Sequence, residues 1–131
     1  MCKGDNPGTT DNRVTAKLTR LYRAWAKGGT GLSVTGNVMI DRRALGEPCN
    51  VVLEDRRDMD RLKAWARAGR ENGTHLWMQI NHPGKQAPAA LNRETVSPSA
   101  VPFSDPNLKR FFHVPRALTV DEINELVRRF G

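Results

Sequence analysis

Trp77-Met78-Gln79-Ile80-Asn81-His82-Pro83-Gly84-Lys85 is the stretch on which the fold turns. Leu76 to Ile80 is an apolar run of strand length, and one amide, Gln79, stands near its end. A His-Pro-Gly turn follows, then a long loop rich in proline and serine. In parallel α/β sheets, ligands bind just beyond the carboxyl ends of the strands, so a polar side chain placed there meets a ligand. The Gln79 amide offers both a donor and an acceptor, which suits the alternating N–H and C=O edge of a heterocycle. The competing reading is a glutamine that bonds the backbone of a loop.

Working outward, residues 74–80 read as a strand covered on both faces, as in a parallel sheet. A helix over about 56–71 precedes it, with Met59, Leu62, Ala66 and Gly69 on one face and Trp65 beside them. Asn72-Gly73 is its stop. Residues 31–39 read as an earlier strand, in which Leu32, Val34, Val38 and Met39 surround Thr35-Gly36-Asn37. Gly36 either lets the backbone approach a ligand closely or marks a bulge. Residues 15–27 form a helix: Leu18, Leu21, Tyr22 and Trp25 fall at i, i+3, i+4 and i+7, Thr15 caps the start, and Gly28-Gly29 ends it. Residues 41–55 are a charged loop with a Gly46-Glu47-Pro48 turn. Residues 81–118 form a long irregular loop punctuated by prolines, a length that is usually functional or disordered. A capping box, Thr119-Val120-Asp121-Glu122, opens a third helix over about 119–131, with Ile123, Leu126, Val127 and Phe130 as its apolar stripe.

The order is helix, strand, helix, strand, long loop, helix. Such alternation implies a parallel sheet built by right-handed crossovers. Two parallel strands leave two open edges and little core. The first helix has no strand before it and the last has none after it. Residues 1–131 are therefore expected to be a stretch of one larger α/β domain, cut at both ends.

Composition sets outer bounds. The chain has 131 residues, 38% hydrophobic and 27% charged, a globular balance. No apolar stretch approaches the roughly 20 residues that span a membrane. Met1 to Pro7 has no apolar core of a secretory signal, and a cytoplasmic setting is the default expectation. Cys2 and Cys49 form no CxxC pair, so neither a metal framework nor a disulfide scaffold is expected. Cys2 is either a tuning thiol or an unremarkable terminal residue. The net charge of +7 comes from basic pairs such as Arg42-Arg43, Arg56-Arg57 and Arg128-Arg129, which lie near Asp41, Glu54, Asp55, Asp58 and Glu125. That scatter argues against a dedicated nucleic-acid partner, although a basic nucleic-acid-binding or partner-binding α/β module is the alternative reading. His75, His82 and His113 have no metal-ligand spacing. His75 is expected to pack within its strand and His82 to serve a turn. Gly28-Gly29-Thr30-Gly31 precedes a strand rather than a helix, unlike a phosphate-cradling loop.

Several stretches together resemble the N-terminal part of the NADH:flavin oxidoreductase family, also called the Old Yellow Enzyme family. They are Leu18 to Leu32, Val34-Thr35-Gly36-Asn37-Val38-Met39, the glutamine strand Trp77 to Ile80 with His82-Pro83-Gly84-Lys85, and Pro115-Arg116-Ala117-Leu118-Thr119. The likeness runs from about Asn12 to Phe130. It implies an α/β fold, a partial (β/α)8 TIM barrel bound to flavin mononucleotide (FMN), with NAD(P)H as hydride donor and an activated alkene or enone as small-molecule substrate. Gln79 matches the glutamine that bonds the flavin pyrimidine, and Gly36 the small residue whose backbone nears the flavin. Cys2 matches the Thr or Cys near flavin O4, where a donor shifts the flavin potential. A complete barrel takes about 250 residues. The resemblance therefore implies that the His-Asn or His-His pair for the substrate carbonyl, the tyrosine proton donor and the phosphate loops lie outside this sequence, and that the chain is inactive alone.

Overall fold

Thr15, in extended backbone, starts the first helix, α1 (Ala16–Lys27), by accepting the Leu18 amide on its hydroxyl at 3.1 Å. Gly29, at φ +89°, supplies the left-handed turn that ends it. The structure, a computed structural model, describes residues 11–131. The candidate residue Cys2 lies outside them. After α1 come β1 (Leu32–Met39), β2 (Val51–Val52), α2 (Met59–Gly69), β3 (His75–Asn81), β4 (Val96–Ser97), β5 (Arg116–Ala117) and α3 (Val120–Phe130).

The strands β1, β2 and β3 form one parallel sheet in the order β2-β1-β3. The short β2 lies inside the stretch expected to be loop. Its two residues pair with Val38 and Met39, too few for a period-2 pattern to announce them. Along β1 and β3 the register runs Val34↔Trp77 and then Asn37↔Gln79. Thr35 and Gly36 thus oppose Met78 alone, which is a β-bulge.

Val14, Leu18, Tyr22, Val38, Val51, Leu62 and Trp65 make the core, with Leu53 and Leu76 packed against it. It lies between one face of the sheet and the pair α1 and α2. On α2 the buried face is Leu62, Trp65, Ala68 and Gly69. Ala66, expected on that face, is exposed, because Trp65 turns inward and rotates the face toward Ala68. Gly69 is required by close approach: a Cβ there would fall 2.7 Å from Leu76 Cδ2.

Side chains alternate along a strand, so Leu76 on the core side puts Trp77, Gln79 and Asn81 on the other. Through the register, Val34 and Asn37 share that second face. No helix covers it. Trp77 is 63% exposed and Val34 52%. The expectation that β3 is covered on both faces therefore fails here. β3 is an edge strand that touches the core through Leu76.

The segment after β3 is more organised than its prolines suggest. Single helical turns stand at Gly84–Gln86 and Leu108–Arg110, β4 pairs with β5 in parallel, and Pro88 bridges Phe112. Asn92, buried, ties it to the loop after β1, accepting the Leu45 amide at 2.7 Å and donating to the Leu45 carbonyl at 2.9 Å. At α3 both halves of the capping box are formed: Thr119 Oγ1 accepts the Glu122 amide at 3.2 Å, and Glu122 accepts the Thr119 amide at 2.8 Å. Val120, Val127 and Phe130 of α3 remain exposed.

Candidate functional site

The carboxyl ends of β1 and β3 bring Asn37 and Gln79 together on the helix-free face, with Gly36 adjacent to Asn37 in the bulge. The Gln79 backbone amide donates to Thr35 Oγ1 at 2.9 Å. Its side chain is exposed and has no hydrogen-bond partner among the described residues. Its donor and its acceptor both remain available on that face. Asn37, directly opposite in the register, is half-buried, and its carbonyl accepts from Asn50 Nδ2 at 3.5 Å.

Gly36 is explained neither by backbone conformation nor by crowding. Its φ is not positive, and a Cβ there would meet nothing within 4 Å. The missing side chain leaves unfilled space at the bulge. The Gly36 amide is nonetheless pinned, donating to Tyr22 Oη at 3.2 Å. Tyr22 is buried, which raises its pKa despite the Gly36 bond, so the phenol stays protonated and neutral. Its ring packs edgewise on Trp65, centroids 5.1 Å apart.

An exposed amide with its donor and its acceptor both free, at the carboxyl end of a strand, fits the edge of a flat heteroaromatic ring such as an isoalloxazine; the open space at Gly36 is lined by Tyr22, Trp25, Val34 and Asn37. Two features are new relative to the sequence reading. Tyr22 reads in the sequence as one more residue of an apolar stripe, and Thr35 as part of a polar interruption. Their hydroxyl bonds depend on the bulge, which a one-residue register shift creates and no local pattern encodes.

A second cleft, of about 530 Å³, lies between the loop after β1, the segment after β3 and α3. His82, Asp41, Arg43, Arg116 and Arg129 line it, and Gln79 does not. Its charges are mutually engaged. Arg43 chelates Asp41 at 2.7 Å, Arg129 approaches the same carboxylate at 3.3 Å, and Arg116 pairs with Glu94 and Glu122 at 2.9 Å each. Burial alone pushes Asp41 up, but the Arg43 bonds and charge bring it below the ordinary aspartate value. His82 Nδ1 accepts the Gly84 amide at 3.2 Å, so His82 holds the turn. Burial pushes its pKa down, and the nearby Asp41 opposes that. His75 is exposed at the start of β3 rather than packed, because no helix covers its face. Among the described residues no group of His, Cys, Asp and Glu is arranged to hold a metal ion, and no helix is long and apolar enough to cross a membrane.

The model of the NADH:flavin oxidoreductase / NADH oxidase family matches residues 2–131. An NADH-dependent flavin oxidoreductase of Aspergillus parasiticus is 39% identical over 121 residues, covering 88% of this chain and 27% of that protein. An NADH oxidase of Thermoanaerobacter brockii is 32% identical over 128 residues, covering 95% of this chain and 19% of that one. Among solved structures, the Old Yellow Enzyme of a Pichia species superposes with a TM-score of 0.80 at 19% identity, covering 94% of this chain and 34% of its own. The chain thus spans about a third or less of the length of these proteins. Its fold is part of an Old Yellow Enzyme barrel: parallel strands with helices outside, and no closed ring.

Proposed function

The chain belongs to the NADH:flavin oxidoreductase / NADH oxidase family, and from that membership we propose that its helix-free sheet face forms part of an FMN site in an NAD(P)H-dependent oxidoreductase. One observation carries the reading: the side-chain amide of Gln79 is exposed and, among the described residues, unpartnered at the carboxyl end of the sheet, opposite Asn37 in the register, the residue that follows the open position at Gly36.

FMN, when bound, supplies hydride chemistry, taking hydride from NAD(P)H and delivering it to an acceptor such as the β-carbon of an activated alkene. The chain's own residues bind and orient. Gln79 donates to and accepts from the pyrimidine edge, and so fixes the ring in its own plane. Gly36 gives the ring room against the backbone. Cys2 is kept as a third contact on its match to the family position alone. Trp77 and Val34, apolar and exposed on the same face, belong to the layered interior of a closed barrel, where alternate strands fill the centre. The bare edge of β3 takes the next parallel strand of that barrel.

Residues 1–131 alone hold FMN weakly and do not turn over, because none of them matches the family's ligands for the FMN phosphate or the substrate carbonyl. Mixing the purified chain with FMN tests this. The expected result is a weak spectral shift that dialysis removes and that Gln79→Ala diminishes. A stoichiometric, non-dialysable yellow complex overturns the weak binding, and an unchanged FMN affinity in Gln79→Ala overturns the role of that residue.

A further inference from the structure

We propose, resting on the flavin reading above, that the buried hydroxyls of Tyr22 and Thr35 are positioning residues that hold the β1 bulge so that Gly36 and Gln79 face one ring. A bulge leaves the extra residue unpaired and disrupts the ladder locally, which costs backbone amides their strand partners. An amide that loses its strand partner must be satisfied by another acceptor or by water. Here two hydroxyls supply the acceptor. Thr35 Oγ1 accepts the Gln79 amide at 2.9 Å, and Tyr22 Oη accepts the Gly36 amide at 3.2 Å. Each candidate flavin contact is therefore fixed through its own backbone by a different side chain.

Both side chains are themselves buried. Thr35 is 3% exposed and Tyr22 5%. Thr35 is β-branched and stiff at χ1. The Tyr22 ring is wedged edgewise between Trp25 at 4.9 Å and Trp65 at 5.1 Å. Direct contacts run from α1 through Tyr22 to Gly36, along one peptide bond to Thr35, and from there to Gln79. The line joins the helix layer to the open face, while the two hydroxyls act only through Gly36 and Gln79. Removing the Tyr22 hydroxyl frees the Gly36 amide, and removing the Thr35 hydroxyl frees the Gln79 amide.

Amide hydrogen exchange on the isotope-labelled chain without flavin tests the device directly. Tyr22→Phe is expected to speed exchange at Gly36 about tenfold, the worth of one net hydrogen bond, and to leave Gln79 unchanged. Thr35→Val should do the converse, and Thr35→Ser, which keeps the hydroxyl, should restore the wild-type rate. Adding FMN then reads the functional half: its perturbation of the Gln79 side-chain amide should shrink in Thr35→Val and persist in Thr35→Ser. Unaltered rates in both hydroxyl-deleting variants, or a uniform rise across the sheet, overturn the proposal. If Thr35→Val fails to fold, Tyr22→Phe at Gly36 and Thr35→Ser at Gln79 decide it. Local exchange effects together with no FMN response in the wild-type chain overturn the flavin reading and leave the two hydroxyls as the clamps of the bulge.

Discussion

Gly36→Ala separates a glycine kept for the protein's own sake from one kept for a ligand. A glycine in a strand interior loses more chain entropy on folding than alanine does, so alanine at a compatible position stabilises by about 0.4–1 kcal/mol. Two costs normally cancel that gain: a positive φ, or a Cβ that collides. Neither applies at position 36, where φ is not positive and a Cβ meets nothing within 4 Å. The Gly36 amide also keeps its bond to Tyr22 Oη, since the substitution leaves the backbone donor in place. The variant should therefore unfold at equal or slightly higher denaturant, by about 0–1 kcal/mol in urea denaturation followed by circular dichroism. FMN titration of the same variant should show weaker binding, because the methyl group enters the space assigned to the ring. Opposite signs in the two assays are the signature of a glycine retained for a ligand. A loss of more than about 1 kcal/mol refutes the reasoning, since the bulge itself would then need glycine.

Other substitutions probe the frame that carries the site. Trp65 is 2% exposed and its Nε1 has no hydrogen-bond partner among the described residues. Trp65→Ala should cost about 3–5 kcal/mol, whereas Trp65→Phe should lie within about 1 kcal/mol of wild type, because deleting an unsatisfied donor offsets lost contact area; equal losses in urea denaturation would show that the indole N–H is bonded. Thr119→Ala should destabilise by about 0.5–2 kcal/mol through loss of the α3 cap, read as a lower urea midpoint. The Arg116 bonds, and then the Thr119 amide, bring Glu122 down from 4.5 to about 2. A depressed carboxyl stabilises the fold fully above its unfolded value and less as protons bind, so this contribution fades as pH falls from about 4.5 toward 2. Carbon-13 titration of the Glu122 carboxyl checks it, and a midpoint near 4.5 contradicts the Arg116 and Thr119 bonds.

What the sequence disclosed and what it withheld divide along physical lines. Helix ends were legible because their determinants are local: the Thr15 hydroxyl, the Gly29 turn and the Thr119–Glu122 box each act within one turn of chain. The placement of Gln79 at a strand end was legible from an apolar run broken by one amide. The β2 strand was not, since it owes its existence to pairing with Val38 and Met39 rather than to its own two residues. The turns and paired strands within residues 81–118 were hidden for a similar reason. Asn92 holds that segment to Leu45, distant in sequence, and Arg116 closes it on Glu94 within the segment itself. The inward turn of Trp65 is not legible in the sequence, because a helical stripe can be drawn through Ala66 or through Ala68, and only packing against Tyr22 selects the second. Among the candidate site residues, sequence gave Gly36 and Gln79 their positions along the chain, while the bulge that sets them side by side came from register alone.

The central claim is that the helix-free face at the carboxyl end of the sheet meets a flavin ring. Mapping amide shifts of the labelled chain on titration with FMN, and in parallel with lumiflavin, which lacks the phosphate, tests it most directly. The account predicts that both ligands perturb Gly36, Asn37 and the Gln79 side-chain amide, with similar strength. Perturbations confined to the arginine-lined cleft around Arg43, Arg116 and Arg129 with FMN, and absent with lumiflavin, contradict it.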